Sequence, residues 1–500
     1  MNSKSLLFQT LAYLTLPIIL FCAGFLKWYV SIVMIGATLW SVYSIYKINV
    51  PVHDSWKLER WQVIVSILVS LGTCFFLGIS GYWSQSYDWL VKNLILDELV
   101  YNQWPLIFDN STSTEEVKTI CGGDRVAFVY YLFFYLPASF FGKMFGSFAI
   151  ARFFLFLWSV YGLDLLLRWL MRSVSEISVF NRRNTILVVV AFVAWGGMDI
   201  VGQILRVSVL WIQDIPNRPT SLIDEWCQPY FSYYASHYTS LFWCFNQSIP
   251  IWLEMILILS FRNCQSIGFF YCLSLLYSPW ATIGLLPLIA VIVITCICKS
   301  GCRAIRSMIS FENIVYPLLV LIVVGTYYSS NSTPLAEKGF FWIFMDVDVF
   351  FIKYVFFILI EIGAYVWLMR REIKTNAVLF ASVCLLLIIP FYKMTYANDF
   401  IMRVSIPALF VIFTFWVKWC VVNYEKCRRI IITLLILSSF TTLQYVHNTT
   451  KATLLNHGPI VYKENELISA GNDPIVARFC EDQFFAHDYE YTFFWKYLAK

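Results

Sequence analysis

A carboxylate, an arginine and a run of aromatics interleaved with amides are the residues here whose types and settings suit chemistry on a membrane-borne substrate. Asp88 opens the stretch YDWLVKNLILDELVYNQWP (87–105), which begins the first long polar segment after a series of apolar ones. Leu90, Val91, Leu94, Ile95 and Leu99 recur there at helical three- and four-residue steps, with Asp88, Lys92, Asn93 and Asp97 largely off that stripe. The pattern predicts a helix lying at a bilayer surface, apolar side down and carboxylates toward water, ending at Trp104-Pro105. A carboxylate held at such a rim can act as general base toward an acceptor hydroxyl. The plainer role for Asp88 is an ion pair with Lys92 one turn on. Asp97 and Glu98 suit a surface helix better than catalysis, and one acidic loop without histidine is thin ground for a divalent ion.

The segment EWCQPYFSYYASHYTSLFWCFNQSIPIW (225–252) sets Glu225, Gln228, His237, Asn246 and Gln247 among aromatics at the mouth of an apolar run. Polar groups in apolar surroundings must find partners, so they commonly face a cavity. Aromatic faces flanked by amides can hold a sugar; an interfacial belt with a structural His237 accounts for the same residues. Asn246 and Gln247 lie deepest in the run. In NDFIMRVSIP (398–407), Asn398 and Asp399 precede Arg403, which enters the next apolar run. A guanidinium there is suited to phosphate, which it binds through two parallel hydrogen bonds. Snorkelling, or pairing with Asp399 four residues back, is the alternative. Arg206 and Lys143 are further cations near the same predicted face. Asp199 follows Gly196-Gly197 inside an apolar run and must face protein or water.

Membrane helices have to position these residues. Of the 500 residues, 59% are hydrophobic and 13% charged, against about 25% charged in ordinary soluble domains, which excludes a soluble globule. The net charge of +5 comes without a basic run suited to nucleic acid. The 14 cysteines show no metal-ligand spacing, Cys296, Cys298 and Cys302 coming nearest; most sit in apolar runs, where a thiol behaves as a small hydrophobe. Residues 1–28 begin like a signal peptide, with Lys4 ahead of an apolar core, but lack a small-residue cleavage site and read as an uncleaved first span.

At about 20 apolar residues per crossing, the chain predicts about thirteen spans. They run over 5–26, 28–46, 62–83, 147–171, 184–204, 237–260, 266–280, 281–298, 314–328, 348–369, 375–392, 404–422 and 429–446. Lys and Arg gather in five loops, marked by Arg60, Arg183, Arg303, Arg371 and Arg429. The positive-inside rule puts those loops in the cytoplasm, with the N-terminus inside and the C-terminus outside. YYLFFYLPASFFGK (130–143), broken by Pro137, is then a short or interfacial piece. Loops 84–125, 205–236, 329–347 and 393–403 face outward, and so does the tail, 447–500, expected as a small cap on one membrane domain, 1–446. Cys121 and Cys227, both outside, are free to pair, and the sequons at Asn110, Asn331 and Asn448 fall on the same side.

SQSYDWLVKNLILDELVYNQWP followed by YYLFFYLPASFFGK, together with SLFWCFNQSIPIW, NDFIMRVSIPALF and the ending FFWKYLAK, resembles the GT-C superfamily of membrane glycosyltransferases, and within it a bacterial GT-C-like group. The likeness spans most of the chain through short motifs. Asp88-Trp89 stands where several GT-C families carry an Asp-Glu pair, and two spans precede the one leading into the loop where many members have one. The resemblance implies an all-α GT-C-like bundle in a bacterial inner membrane, its active site facing the periplasm. It implies inverting transfer of a sugar from a polyprenyl-phosphate donor to a glycan, lipid or protein acceptor. In that scheme Asp88 is the general base, and Arg403, with Arg206 or Lys143, receives the donor phosphate. Trp89, Asn93, Glu225 and Tyr233 would line the sugar or acceptor pocket, with His237, Asn246, Gln247 and Asp399. No cofactor is required, since a lipid phosphate leaves with its charge already present; a divalent metal is compatible. Two other classes share the pattern of spans: a transporter or flippase of lipid-linked glycans, which more often shows repeat symmetry, and a non-catalytic assembly protein of envelope polysaccharide synthesis.

Overall fold

Long apolar runs leave the backbone one way to satisfy its polar groups inside a membrane, and helices form over every run picked out above. The computed structural model describes residues 3–49, 56–109, 125–178, 181–208, 222–227, 231, 233–261, 264–331, 338–394, 398–462, 484–486 and 488–500. Among these, nine helices are long and apolar enough to cross a membrane: Ser3–Phe25, Trp28–Ile48, Phe148–Ser175, Arg182–Arg206, His237–Ser260, Pro279–Ser300, Phe311–Ser329, Val347–Leu368 and Ile406–Leu455. Three shorter apolar helices, Arg60–Phe76, Ile267–Tyr277 and Ala377–Phe391, accompany them. Hydroxyls within the helices turn back on their own backbone, as Thr10, Thr15 and Thr38 do toward the carbonyls of Leu6, Leu11 and Met34. That local bond lets a polar side chain sit in an apolar bundle without a partner helix.

Helix Ile406–Leu455 runs for 50 residues, about 75 Å at 1.5 Å per residue if straight. It is not straight. Tyr445 hydrogen-bonds the indole of Trp243, and Trp243 lines the same cavity as Arg403. The chain therefore doubles back, and it does so at Cys427, whose backbone leaves helical values (φ −119, ψ 18). Trp416 of the outgoing arm and Ser438 of the returning arm both lie against residues 195–196. The two arms match the separate runs 404–422 and 429–446.

The two ends of the bundle are built differently. At one, Arg183 pairs with Glu425 and lies over the ring of Tyr424, and Gln62 bonds Thr185 close by. At the other, chain segments distant in sequence are joined by short strands: β1 (Ile107–Asp109), β2 (Arg125–Phe128), β3 (Lys338–Phe340), β4 (Tyr392–Met394) and β5 (Phe485–Ala486). β1, β2 and β5 form one antiparallel sheet in that order, with Ile107 opposite Ala127 and Ala127 opposite Ala486; β3 pairs with β4. The C-terminus closes on the turn between the first two helices, where the Lys27 N–H donates to Leu498 (2.9 Å) and the Lys500 N–H to Phe25 (3.0 Å). The described part of the tail is thus woven into this end of the bundle, and helix Ile406–Leu455 occupies its first residues.

The first-loop helix, Trp89–Tyr101, departs from expectation. It is not laid on a surface with its polar side in water: Trp89, Lys92, Asn93 and Glu98 are all buried. Hydrogen bonds satisfy part of that face. Asn93 donates to the Gln85 side chain (3.0 Å) and the Tyr462 carbonyl (2.8 Å). Beyond β2, a turn at Phe133–Tyr135 leads into the ten-residue helix Leu136–Phe145, with Pro137 in its first turn and left-handed Gly146 closing it. This is the short Pro-containing piece expected over 130–143.

Candidate functional site

A cavity of about 420 Å³ lies at the end of the bundle that carries the β1-β2-β5 sheet. Asp88 and Lys92 enter it from the start of the first-loop helix, and Tyr130 and Tyr135 from the segment after β2. Glu225 and Tyr233 come from the loop ahead of helix His237–Ser260, and Trp243, Cys244, Asn246 and Gln247 from within that helix. Asp399 and Arg403 come from the short helix Asp399–Val404, and Phe484 from the tail beside β5.

A break in a helix makes one wall. Helix His237–Ser260 leaves helical geometry at Cys244 (φ −136, ψ 38), less than two turns ahead of Pro250. Proline withholds a donor and crowds the preceding turn, and sharp kinks gather near it. The carbonyls freed at the break are taken by the Lys92 ammonium, 2.8 Å from Trp243 O and 3.5 Å from Phe242 O. Lys92 also lies 3.5 Å from Asp88 and 5.3 Å from the centre of the Trp89 ring. A buried ammonium is costly unless compensated, and here carbonyl oxygens, a carboxylate and an aromatic face compensate it. Asp88 itself keeps 43% of its side chain exposed toward the cavity.

Arg403 is fixed by the backbone that carries it. Asn398 adopts left-handed angles (φ 53) and its side chain accepts the Met394 N–H (3.3 Å), which turns the chain out of β4 into the helix. Asparagine is among the few residues that take this conformation readily. Gly284 packs directly against the Val404 carbonyl, and a Cβ there would collide with it. Arg403 stands 3.8 Å from Asp399, while its Nε has no hydrogen-bond partner and is buried.

Glu225 and its neighbour Asp224 divide the acid chemistry of the loop. Asp224 turns inward, accepting hydroxyls from Thr239 (2.7 Å) and Tyr445 (2.9 Å). Glu225 faces the cavity. Burial, and then the Asp224 carboxyl beside it, push its pKa up to about 7, with Arg206 acting the other way. The cavity therefore offers two cations, two carboxylates in ion pairs and one carboxyl that titrates near neutrality, framed by tyrosines and an indole. Such a wall can receive an anion and accept a proton a short distance away.

Seven of the residues picked out from sequence line this cavity: Asp88, Glu225, Tyr233, Asn246, Gln247, Asp399 and Arg403. Five do not. The Lys143 amine bonds the Asn102 carbonyl and lies over Trp104; Arg206 reaches the Glu225 carbonyl (3.5 Å) from behind the wall. Trp89 is stacked on Phe245 in the core (5.0 Å between ring centres), and Asn93 is spent on the bonds described above. His237 is structural: its Nδ1 lies 3.0 Å from the Phe192 carbonyl, and the rings of Trp252 and Phe413 enclose it. Lys92 is the cavity cation that sequence reasoning passed over as a mere ion-pair partner; its signal, four residues after Asp88, was visible. Tyr130 and Tyr135 belong to the piece expected as short or interfacial, and Trp243 to the aromatic stretch weighed between an interfacial belt and a sugar-holding wall. Cys227 is a free thiol; Cys121, the sequon at Asn110 and Gln228 lie outside the described residues.

No protein-family model matches the chain, and comparison with curated proteins and with solved structures returned no match.

Proposed function

We propose that this protein is a membrane glycosyltransferase of GT-C type, moving a sugar from a polyprenyl-phosphate donor to an acceptor hydroxyl with inversion. The observation that carries the reading is the shared cavity: Asp88, from the first loop, and Arg403, from the mouth of a late helix, line one hollow. Arg403, which lines the cavity, receives the departing phosphate, and guanidinium charge offsets the charge that concentrates there as the bond breaks. Arg206 and Lys143, the other cations expected at the phosphate, do not line the cavity. Asp88 accepts the acceptor proton from the opposite face of the anomeric carbon, with Lys92 holding its carboxylate in place. Tyr233, Asn246 and Gln247 contact the sugar or the acceptor.

Counting the doubled helix as two passes and the three shorter apolar helices as one each, the described helices make thirteen crossings. The basic loops then face the cytoplasm and the cavity opens on the outer side of a bacterial inner membrane. Replacing Asp88 with Asn tests the reading. Sugar transfer from a polyprenyl-phosphate donor should fall by a factor of about 10²–10⁴ at unchanged protein level; undiminished transfer removes Asp88 from the chemistry. One observation favours a transporter of lipid-linked glycans instead: the apolar run 182–206 is interrupted at Trp195–Met198 beside buried carboxyl groups, an arrangement common where helices bind transported ions. Movement of a lipid-linked glycan across proteoliposomes without any transfer product would decide for that reading.

A further inference from the structure

Away from the cavity, the span 182–206 stops being helical after Ala194 and resumes at Asp199. Across from it, Glu361 sits in the π-helical turn Leu359–Gly363, held to the break by the Met198 N–H donating to the Ile360 carbonyl (3.0 Å). Both side chains are sealed from solvent, Asp199 at 1% and Glu361 at 2% exposure. One oxygen of each is accounted for: Asp199 Oδ2 accepts the Thr441 hydroxyl (2.6 Å) and Glu361 Oε1 the Trp226 indole (3.0 Å). The other two, Asp199 Oδ1 and Glu361 Oε2, find no donor among the described residues. Both point at the same space over Gly197, where a Cβ would run into each of them. Two buried carboxyl oxygens without a donor thus lie beside one another at that point.

Carboxylates only accept hydrogen bonds, so two of them can be joined only if one carries a proton. We infer that Asp199 and Glu361 together form a site that binds a single exchangeable proton, held in the space that Gly197 leaves open. The inference does not depend on the sugar-transfer reading. The other titratable groups facing the pair are Asp224, one turn along the returning arm through Tyr445, the Tyr365 phenol that bonds the Gly196 carbonyl (2.7 Å), and the Cys227 thiol. Lys353 and Arg206 are the cations nearest that thiol. The site is tied to the cavity wall twice. Trp226, bonded to Glu361, belongs to the turn that carries Glu225, and Tyr445, bonded to Asp224, also takes the Trp243 indole.

Infrared absorption of the full chain in lipid nanodiscs, in light and heavy water, reads the proton directly through the carbonyl band of a protonated acid. The double variant D199N/E361Q should lose the absorption of one acid, although two carboxyl groups are gone. Loss of two acids' worth, or of none, overturns the proposal. E361Q alone should lose the same single band and unfold at nearly the wild-type temperature, because its amide donates to Asp199 as the acid did; this keeps the test available if the double variant does not fold. Replacing sodium by choline should leave the unfolding temperature where it is. A sodium-dependent shift that vanishes in E361Q would assign the site to a metal cation and sink the proton.

Discussion

Among the described residues, three acid–base pairs spaced four residues apart close into ion pairs, and the structure uses them in two opposite ways. Asp164 and Arg168 close on each other at 2.5 Å between helices Arg60–Phe76 and Phe148–Ser175, with both side chains less than a tenth exposed. Ser66 completes the carboxylate at 2.5 Å, and Arg168 Nε adds a second bond at 2.9 Å. Asp88 and Lys92 stand 3.5 Å apart and Asp399 and Arg403 3.8 Å apart, with the acids 43% and 40% exposed to the cavity. Helical spacing grants only reach. Surroundings decide the rest: in a dry bundle a pair must be consumed by its own members, whereas at a cavity wall the ammonium is held partly by carbonyls of a broken helix, and the carboxylates remain open to a third party.

The largest effect expected from this contrast is on stability. Arg168→Ala leaves an uncompensated carboxylate in the bundle and should cost about 3–5 kcal/mol, seen as a steep fall in unfolding temperature and in membrane yield. Asp399→Ala, at a wetted pair, should cost no more than about 1 kcal/mol. Equal losses at the two sites would end the distinction. On activity the order should invert among the cavity residues. Arg403→Ala should slow sugar transfer by a factor of about 10²–10³ with the fold intact. Arg403→Lys should recover part of that, since it restores charge but not the paired donors. Smaller again is Lys92→Met, which keeps the packing against Trp89 and loses the hold on Asp88; it should slow transfer less than Arg403→Ala does.

How much of this was readable in the sequence follows from the kind of signal each residue leaves. Apolar runs of spanning length predicted the long apolar helices, including the two arms of Ile406–Leu455, because hydropathy reports burial in lipid and Arg428 and Arg429 interrupt it. The first-loop helix was found, but its setting was not. Periodicity shows which residues share a face, and it cannot show that the polar face of Lys92 and Asn93 would be roofed by the break at Cys244 and the backbone near Tyr462. Arg403 and Asp399 were legible as charges at the edge of an apolar run. Arg206 and Lys143 carried the same signal and went elsewhere, since composition cannot rank cations by the direction their backbones turn. His237 shows the converse: its polarity marks it out, and the structure sets it among aromatic rings away from the cavity, with Nδ1 on the Phe192 carbonyl.

Glu225 gives the finest test, because it is a cavity acid with no ion-pair partner four residues away on a helix. Its pKa is raised from 4.5 to about 7, by burial first and by Asp224 second. Between those two values the folded protein holds a proton that the unfolded chain has released, so this group makes stability fall as pH rises through that window. Glu225→Gln removes the titration, and the variant should lose less stability than the parent between pH 5 and 7 (about those limits, from the raised value). If ionised Glu225 also orients the acceptor, transfer by the parent should rise through pH 7 while the variant's profile lacks that limb. A profile unchanged by the substitution would leave Glu225 as wall, and would place the whole proton-accepting burden of the cavity on the carboxylate that Lys92 holds.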